Sequence, residues 1–161
     1  MTSHTIIPVR CDADLKAAGD LFLEYANWLA DAHDISLKFQ NFEQELAGLP
    51  GKYAPPRGEI LLARSSVGDA EAVIAIRPFE GTTCEIKRLY VAPSARGHAL
   101  GKKLVAAILD CARDAGYTCA ILDTGGFMAP AQRLYESFGF ADIPKYYDNP
   151  MLDIRYMGMD L

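Results

Sequence analysis

The sequence lacks any apolar run approaching the roughly 20 residues that a helix needs to cross a bilayer. It also lacks a positively charged segment followed by a short apolar stretch, the pattern of a secretory signal peptide. We therefore expect a cytoplasmic protein that makes no membrane contact.

Patterns typical of metal sites and disulfide frameworks are missing as well. The sequence has no CxxC pair and no histidine at ligand spacing from a cysteine, and the cysteines are scattered at Cys11, Cys84, Cys111 and Cys119. Such spacing indicates neither a zinc site nor a set of disulfides. We expect free, mostly buried thiols and no bound metal.

The chain has fewer basic than acidic residues, so its formal net charge is -5 and its isoelectric point is about 5.1. No basic stripe interleaved with aromatic residues offsets this balance locally. A surface of this kind repels phosphate backbones, so we expect no nucleic-acid partner.

What the sequence does contain is enough apolar material for one core. The chain has 161 residues, half of them hydrophobic, which predicts a single domain over residues 1–161. A short strand and two amphipathic helices come first. Three β-type runs follow at 59–64, 72–77 and 84–91, and the short links between them predict an antiparallel meander.

The second half alternates helices and strands. A helix begins near Gly101, a strand spans 119–124, a short helix spans 129–137, and a last β region ends near Leu161. The strand, helix and strand at this end predict parallel pairing between the two strands. Together the elements predict an α/β structure in which helices cover a mixed sheet.

The segment from Arg96 to Leu104 joins the third strand of the meander to a helix through a glycine-containing turn. Such a turn leaves backbone N–H groups free at the positive end of the helix dipole. With the cations of Arg96, Lys102 and Lys103 nearby, this is a site for a diphosphate. No Gly-Lys-Ser or Gly-Lys-Thr closes the turn, and it does not open a βαβ unit, so neither a Walker loop nor a dinucleotide-binding fingerprint is indicated.

Two motifs together resemble the GNAT superfamily of N-acetyltransferases. The turn is similar to that family's pyrophosphate loop, Q/R-x-x-G-x-G/A, with Arg96 and Gly101 in register and Ala99 at the middle glycine. Residues 131–140 are similar to its A-x-x-L-Y-x-x-x-G-F helix. Because an alanine at positive φ would cost roughly 1–2 kcal/mol, we expect a negative φ at Ala99.

The resemblance implies a single-domain fold with a mostly antiparallel mixed sheet of six to seven strands, helices on both faces, and a splay between strands 4 and 5. It also implies acetyl-CoA as co-substrate, with its pantetheine arm along the fourth strand. The residues expected to hold the coenzyme are Leu89, Tyr90, Val91, Arg96, Gly97, His98, Ala99, Leu100, Gly101 and Lys102.

The resemblance further implies that Tyr135 is the general acid that protonates the departing thiolate, since a phenol stays protonated near neutral pH. The alternative is an ordinary core aromatic. Glu85 is the candidate general base, and its alternative is a structural carboxylate paired with Lys87 or Arg88.

The expected function is transfer of an acetyl group from acetyl-CoA to a primary amine of a small molecule or peptide. A non-catalytic acyl-CoA sensor is the alternative. The acceptor is expected near Tyr146, Tyr147, Asn149 and Asp34, with Asp148 as another carboxylate at the same mouth. The strand edge near the C-terminus either pairs with a second copy in a homodimer or is covered by its own loop.

Overall fold

The computed structural model describes residues 3–151 and 153–161, and in those ranges the strands form one seven-stranded sheet in the order β1-β2-β3-β4-β5-β7-β6. The strands are β1 His4–Pro8, β2 Glu59–Ser65, β3 Ala70–Glu80, β4 Thr83–Val91, β5 Cys119–Gly125, β6 Ala141–Asp142 and β7 Ile154–Asp160. The helices are α1 Asp12–His33, α2 Phe42–Ala47, α3 Leu100–Asp114 and α4 Ala129–Phe138. Short 3-10 turns lie at Leu37–Gln40, Gly51–Tyr53 and Pro93–Ala95. None of the helices in the described ranges is both long and apolar enough to cross a membrane.

Strands β2, β3 and β4 form the predicted antiparallel meander. The parallel pair of the sheet is β4 and β5, which are joined through α3, and it is short. Its register runs from Thr83 with Cys119 to Glu85 with Ile121, and pairing stops there. Beyond this point the two strands separate, so the predicted mixed, mostly antiparallel sheet with a splay between strands 4 and 5 is confirmed.

The predicted parallel pairing at the end of the chain was wrong. Strand β5 pairs with β7 in antiparallel register, from Cys119 with Asp160 to Gly125 with Ile154. Strand β6, which follows α4, does run in the same direction as β5, because both are antiparallel to β7. The last strand inserts between them, so the two strands of this strand-helix-strand unit are not neighbours.

Each face of the sheet has its own hydrophobic core because successive side chains of a strand point to opposite faces. On β3, Ala72, Ile74 and Ile76 pack in the cluster that contains α3, whereas Val73 and Ala75 pack in the cluster that contains α1. The α3 cluster is built around the fully buried Leu104, Val105 and Ile108, and the α1 cluster around Ala18, Phe22 and Leu29. The sheet is thus covered by helices on both faces.

Candidate active site

The gap between β4 and β5 opens a cavity of about 470 Å³. Its walls come from α1, β4, β5, the start of α3, α4 and the segment before β7, and we call it the cleft. Tyr25 and Trp28 of α1 lie on one side, and Thr124 and Tyr135 on the other. The cleft is therefore a consequence of the interrupted β4–β5 pairing.

A bulge in β4 shapes one wall of the cleft. The β3–β4 register slips between Val73 with Tyr90 and Ala75 with Lys87, and Arg88 has a φ of 64°. A non-glycine residue with this φ is strained and needs support from its surroundings. Arg88 receives that support from Glu45 of α2, to which its Nε and Nη2 donate at 2.9 and 3.1 Å.

The bulge turns the following backbone toward the cleft. Leu89, Tyr90 and Val91 all line the cleft, and no strand pairs with this part of β4 on the β5 side within the described residues. A free strand edge is able to hydrogen-bond amides laid along it. This is the place where the sequence predicted the pantetheine arm.

The turn before α3 presents a run of free donors. Within the described part of the chain, the backbone N–H groups of residues 97–102 donate to no protein acceptor, while Lys103 N–H begins the helical pattern by donating to Ala99 at 3.1 Å. Gly97 has a φ of 91° and Ala99 a φ of 56°. Consecutive N–H groups in such a turn form a concave anion site at the positive end of a helix.

The expected negative φ at Ala99 is therefore wrong. Ala99 is the N-cap of α3 and adopts the left-handed conformation without a side-chain cap. The turn reverses direction just before the helix, and that reversal requires the left-handed backbone whichever residue stands there. The alanine methyl accordingly carries a strain of roughly 1–2 kcal/mol.

The side chains of this turn are arranged unequally around the cleft. Arg96 and Gly101 line it, and Arg96 is also fixed against the Trp28 ring at 5.9 Å. Leu100 points into the α3 core, so its contribution to a ligand is its N–H alone. His98 and Lys102 are exposed at the surface.

Tyr135 of α4 is 6% exposed and lines the cleft. Its ring packs edge-on against Phe140, and its hydroxyl makes no hydrogen bond with a described residue yet is not a buried unsatisfied atom, so it is accessible from the cleft. Burial raises the pKa of Tyr135 well above its usual range, with smaller contributions from Tyr25 and Asp123. The phenol therefore remains a proton donor at any physiological pH.

Glu85 is buried but does not line the cleft. Its Oε1 accepts from Arg77 Nε at 2.9 Å, and its Oε2 accepts from the Tyr146 hydroxyl at 2.7 Å. Neither Lys87 nor Arg88, the structural partners considered from the sequence, is paired with it in the described structure. Both oxygens of this candidate base are thus occupied by other groups.

The acceptor residues predicted from the sequence divide into two groups. Asn149 lines the cleft, and Tyr147 lies behind it, where its hydroxyl donates to Asp123 Oδ2. Asp34 is exposed at the C-terminal end of α1 and Asp148 is paired with Lys145, and neither lines the cleft. The Tyr146 ring stacks edge-on against Phe79 and Tyr156 and reaches Glu85 instead.

Many cleft residues were not assigned to the site from the sequence, and Tyr25, Lys87 and Asp123 are among them. Burial raises the pKa of Tyr25 to about 12. Asp123 is the single charged residue of β5, whereas Lys87 shares β4 with Glu85 and Arg88, and both strands are otherwise largely buried. A charge in such a position is unusual unless it is paired or functional, and that was the signal available in the sequence.

The amino-acid sequence matches a known protein family over most of its length. A family model described as the acetyltransferase (GNAT) family matches residues 22–140. The chain belongs to this family. An uncharacterized N-acetyltransferase of Schizosaccharomyces pombe is 44% identical over 128 residues, which cover 79% of this chain and 78% of the relative.

Solved structures show the same fold. A GNAT-family acetyltransferase from Staphylococcus aureus superposes with a TM-score of 0.79 at 18% identity, covering 98% of this chain and 99% of its own. A Salmonella typhimurium protein solved with its cofactor acetyl-CoA superposes with a TM-score of 0.71 at 21% identity, covering 98% of this chain and 94% of its own. Membership of the family makes this GNAT protein an acetyltransferase that uses acetyl-CoA.

Proposed function

We propose that this acetyltransferase moves the acetyl group of acetyl-CoA directly onto a primary amine held in the cleft. The observation that carries the proposal is the continuity of the site. Gly101 at the start of α3, the free edge of β4 at Leu89, Tyr90 and Val91, and Tyr135 all line a single cavity. Acetyl-CoA has a diphosphate, an amide-containing arm and a thioester, and each of these parts would find a matching group there.

Charged side chains and backbone groups would bind different parts of the coenzyme. The N–H groups of residues 97–102 and the Arg96 guanidinium would hold the diphosphate. The backbone of Leu89, Tyr90 and Val91 would pair with the pantetheine amides and polarise the thioester carbonyl. His98 and Lys102 add a hydrophilic rim, with Lys102 supplying a further positive charge.

Transfer forms a nitrogen–carbon bond to the acetyl carbonyl and breaks the carbon–sulfur bond of the thioester. Tyr135 donates its proton to the departing sulfur and recovers one from solvent. The ammonium first releases one proton to solvent, and the neutral amine that attacks loses a second proton as the amide forms. Asp123 is the cleft carboxylate best placed to accept this second proton, because Glu85 is already engaged by Arg77 and Tyr146. Burial raises the pKa of Tyr135, so its hydroxyl stays protonated and able to donate to the sulfur.

The Tyr135→Phe variant tests the acid assignment. We expect kcat for an amine acceptor to fall by about 10²-fold or more, the usual contribution of a positioned acid. The dissociation constant for acetyl-CoA, measured by calorimetry, should stay within about twofold because the hydroxyl makes no binding contact with the diphosphate or the amides.

Tyr117→Phe is the matched control. Tyr117 is also buried, but its hydroxyl donates to the Arg57 carbonyl outside the cleft. It should lose some stability and keep its kcat. Full turnover by Tyr135→Phe would reject the acid assignment. A wild-type protein that binds acetyl-CoA tightly but acetylates no amine in a broad screen would identify a sensor instead of an enzyme.

A further inference from the structure

Two side chains of opposite charge lie at equivalent positions on β4 and β5, just beyond the point where the two strands separate. Glu85 and Ile121 form the last pair of the parallel register. Two residues further along each strand are Lys87 and Asp123, which therefore occupy equivalent heights on the same face. Both line the cleft, and no ion pair joins them among the described residues.

Lys87 is a buried cation without a counterion of its own. It is 6% exposed, and its Nζ donates a hydrogen bond to the neutral Gln40 Oε1 at 3.1 Å. Two neighbouring cations, the partly exposed Arg77 and the buried Arg88, each have a carboxylate, Glu85 for Arg77 and Glu45 for Arg88. In the described ranges no carboxylate lies within ion-pair distance of Lys87, and an ammonium offers three donors.

The surroundings of Lys87 explain why this arrangement is costly. Burial lowers the pKa of Lys87, while Glu85 and Asp123 act to raise it and Arg88 and Arg77 to lower it. Gln40 cannot offset the desolvation, since it carries no charge and shares the same oxygen with Arg88 Nη1 at 2.8 Å. A buried charge left in this state favours the binding of an anionic group.

Asp123 has hydrogen-bond partners at only one of its two carboxylate oxygens. Its Oδ2 accepts from the Tyr147 hydroxyl and from Asn149 Nδ2, the latter at 3.1 Å. Its Oδ1 accepts no hydrogen bond from any described residue, yet it is not a buried unsatisfied atom, so it is open to the cleft. Asn149 and Gln40 also contact the Tyr147 hydroxyl, at 2.9 and 3.1 Å, and hold the carboxylate in place.

We propose that the acceptor is an amine that also carries a carboxylate, with a free α-amino acid as the simplest member of the class. Lys87 binds the carboxylate, and Asp123 Oδ1 binds the amino group that is acetylated. This inference deepens the proposed function and depends on it. It makes Lys87 a specificity-determining residue.

The same charges disfavour other classes of amine acceptor. A polyamine would bring a second cation toward Lys87 and Arg88. A lysine side chain or the N-terminus of a protein has no carboxylate within a few bonds of its amine, so Lys87 would remain without a counterion. Electrostatic complementarity thus selects an acceptor bearing both signs of charge.

The test compares each common α-amino acid with its own carboxamide as acceptor. For the wild-type protein, at least one amino acid should show a kcat/KM above that of its carboxamide by about tenfold or more, since a charge-assisted bond is lost in the amide. Lys87→Gln should remove this preference by raising KM for the amino acid and leaving the carboxamide unchanged. Lys16→Gln, an exposed lysine on α1, is the matched control.

Several results would overturn the inference. Equal or better use of carboxamides by the wild-type protein would do so without any variant having to fold. A Lys87→Gln variant whose kcat drops equally for both acceptors would show instead that Lys87 acts on the thioester. Calorimetric binding of the amino acids to the wild-type protein and Lys87→Gln, each loaded with CoA, gives a readout that needs no turnover. Binding that depends on Lys87 would support the inference even if the proposed transfer failed.

Discussion

At the scale of single residues, Glu85 and Asp123 illustrate how neighbours decide what a carboxylate does. They lie on adjacent strands, close to the point where those strands separate. Glu85 has both oxygens bonded, one of them to a cation, and contributes to holding β3 to β4. Asp123 has one oxygen held by two neutral donors and the other open to the cleft. The same functional group therefore joins two strands in one place and has an oxygen open to the cleft in the other.

Substitution of the two carboxylates separates these roles. Asp123→Asn should lower kcat/KM for the amine acceptor by about tenfold or more, because the cleft loses both its base and its anionic contact. Glu85→Gln should destabilise the fold by roughly 3 kcal/mol, because it leaves the Arg77 guanidinium without its closest counterion. Initial-rate kinetics and urea unfolding on both variants measure the two effects.

The same two variants also show which result would contradict this division of roles. A loss of activity in Glu85→Gln at full stability, with Asp123→Asn still active, would return the role of base to Glu85.

Residue-scale features were predictable only where a motif carried them. Tyr135 and Arg96 sit at fixed positions in recognisable patterns, and both line the cleft. Lys87 and Asp123 belong to no such pattern, and their importance depends on which partners each lacks. That information appears only when the register of β4 against β5 and the contacts of Gln40 are known.

At the scale of elements, the turn that starts α3 combines free backbone N–H groups with strain. The sequence predicted the start of the helix and the free N–H groups from the position of the glycines. It did not predict the φ of 56° at Ala99, because the preference of alanine argued for the opposite sign. The requirement comes from the path of the turn, which local preference does not determine.

Replacement of Ala99 by glycine should therefore stabilise the protein. Removing the methyl relieves the left-handed strain, and the greater freedom of glycine in the unfolded chain offsets part of the gain, leaving about 0.5–1 kcal/mol. Ala106→Gly, at an exposed position inside the same helix, should instead cost about 1 kcal/mol. Urea unfolding of the two variants beside the wild-type protein measures both signs, and destabilisation by Ala99→Gly would contradict the strain at this position.

At the scale of the whole molecule, the order of elements was largely predictable, while the neighbours of the last strand were not. Short links within the meander leave β2, β3 and β4 few ways to pair. The strand that follows α4 can either pair directly with β5 or lie one position further along the sheet, with another strand between them. No local sequence signal distinguishes these two arrangements. The insertion of β7 is a long-range event that buries Met157 in the core next to Leu122.

The splay of β4 and β5 is the whole-molecule feature on which the account depends. Two cores on opposite faces fix the sheet, the bulge at Arg88 redirects β4, and the resulting gap joins the free donors of α3 to Tyr135, Lys87 and Asp123. The cleft thus brings free backbone N–H groups, the Tyr135 phenol and a pair of opposite charges together within one fold.

A crystal structure of the protein with bound CoA tests this account most directly. If the coenzyme binds as proposed, its diphosphate oxygens should lie within about 3.2 Å of backbone N–H groups of residues 97–102, its pantetheine arm between β4 and β5, and its sulfur beside the Tyr135 hydroxyl. A coenzyme bound elsewhere, or one whose sulfur points away from Tyr135 with the gap between the strands empty, would contradict it.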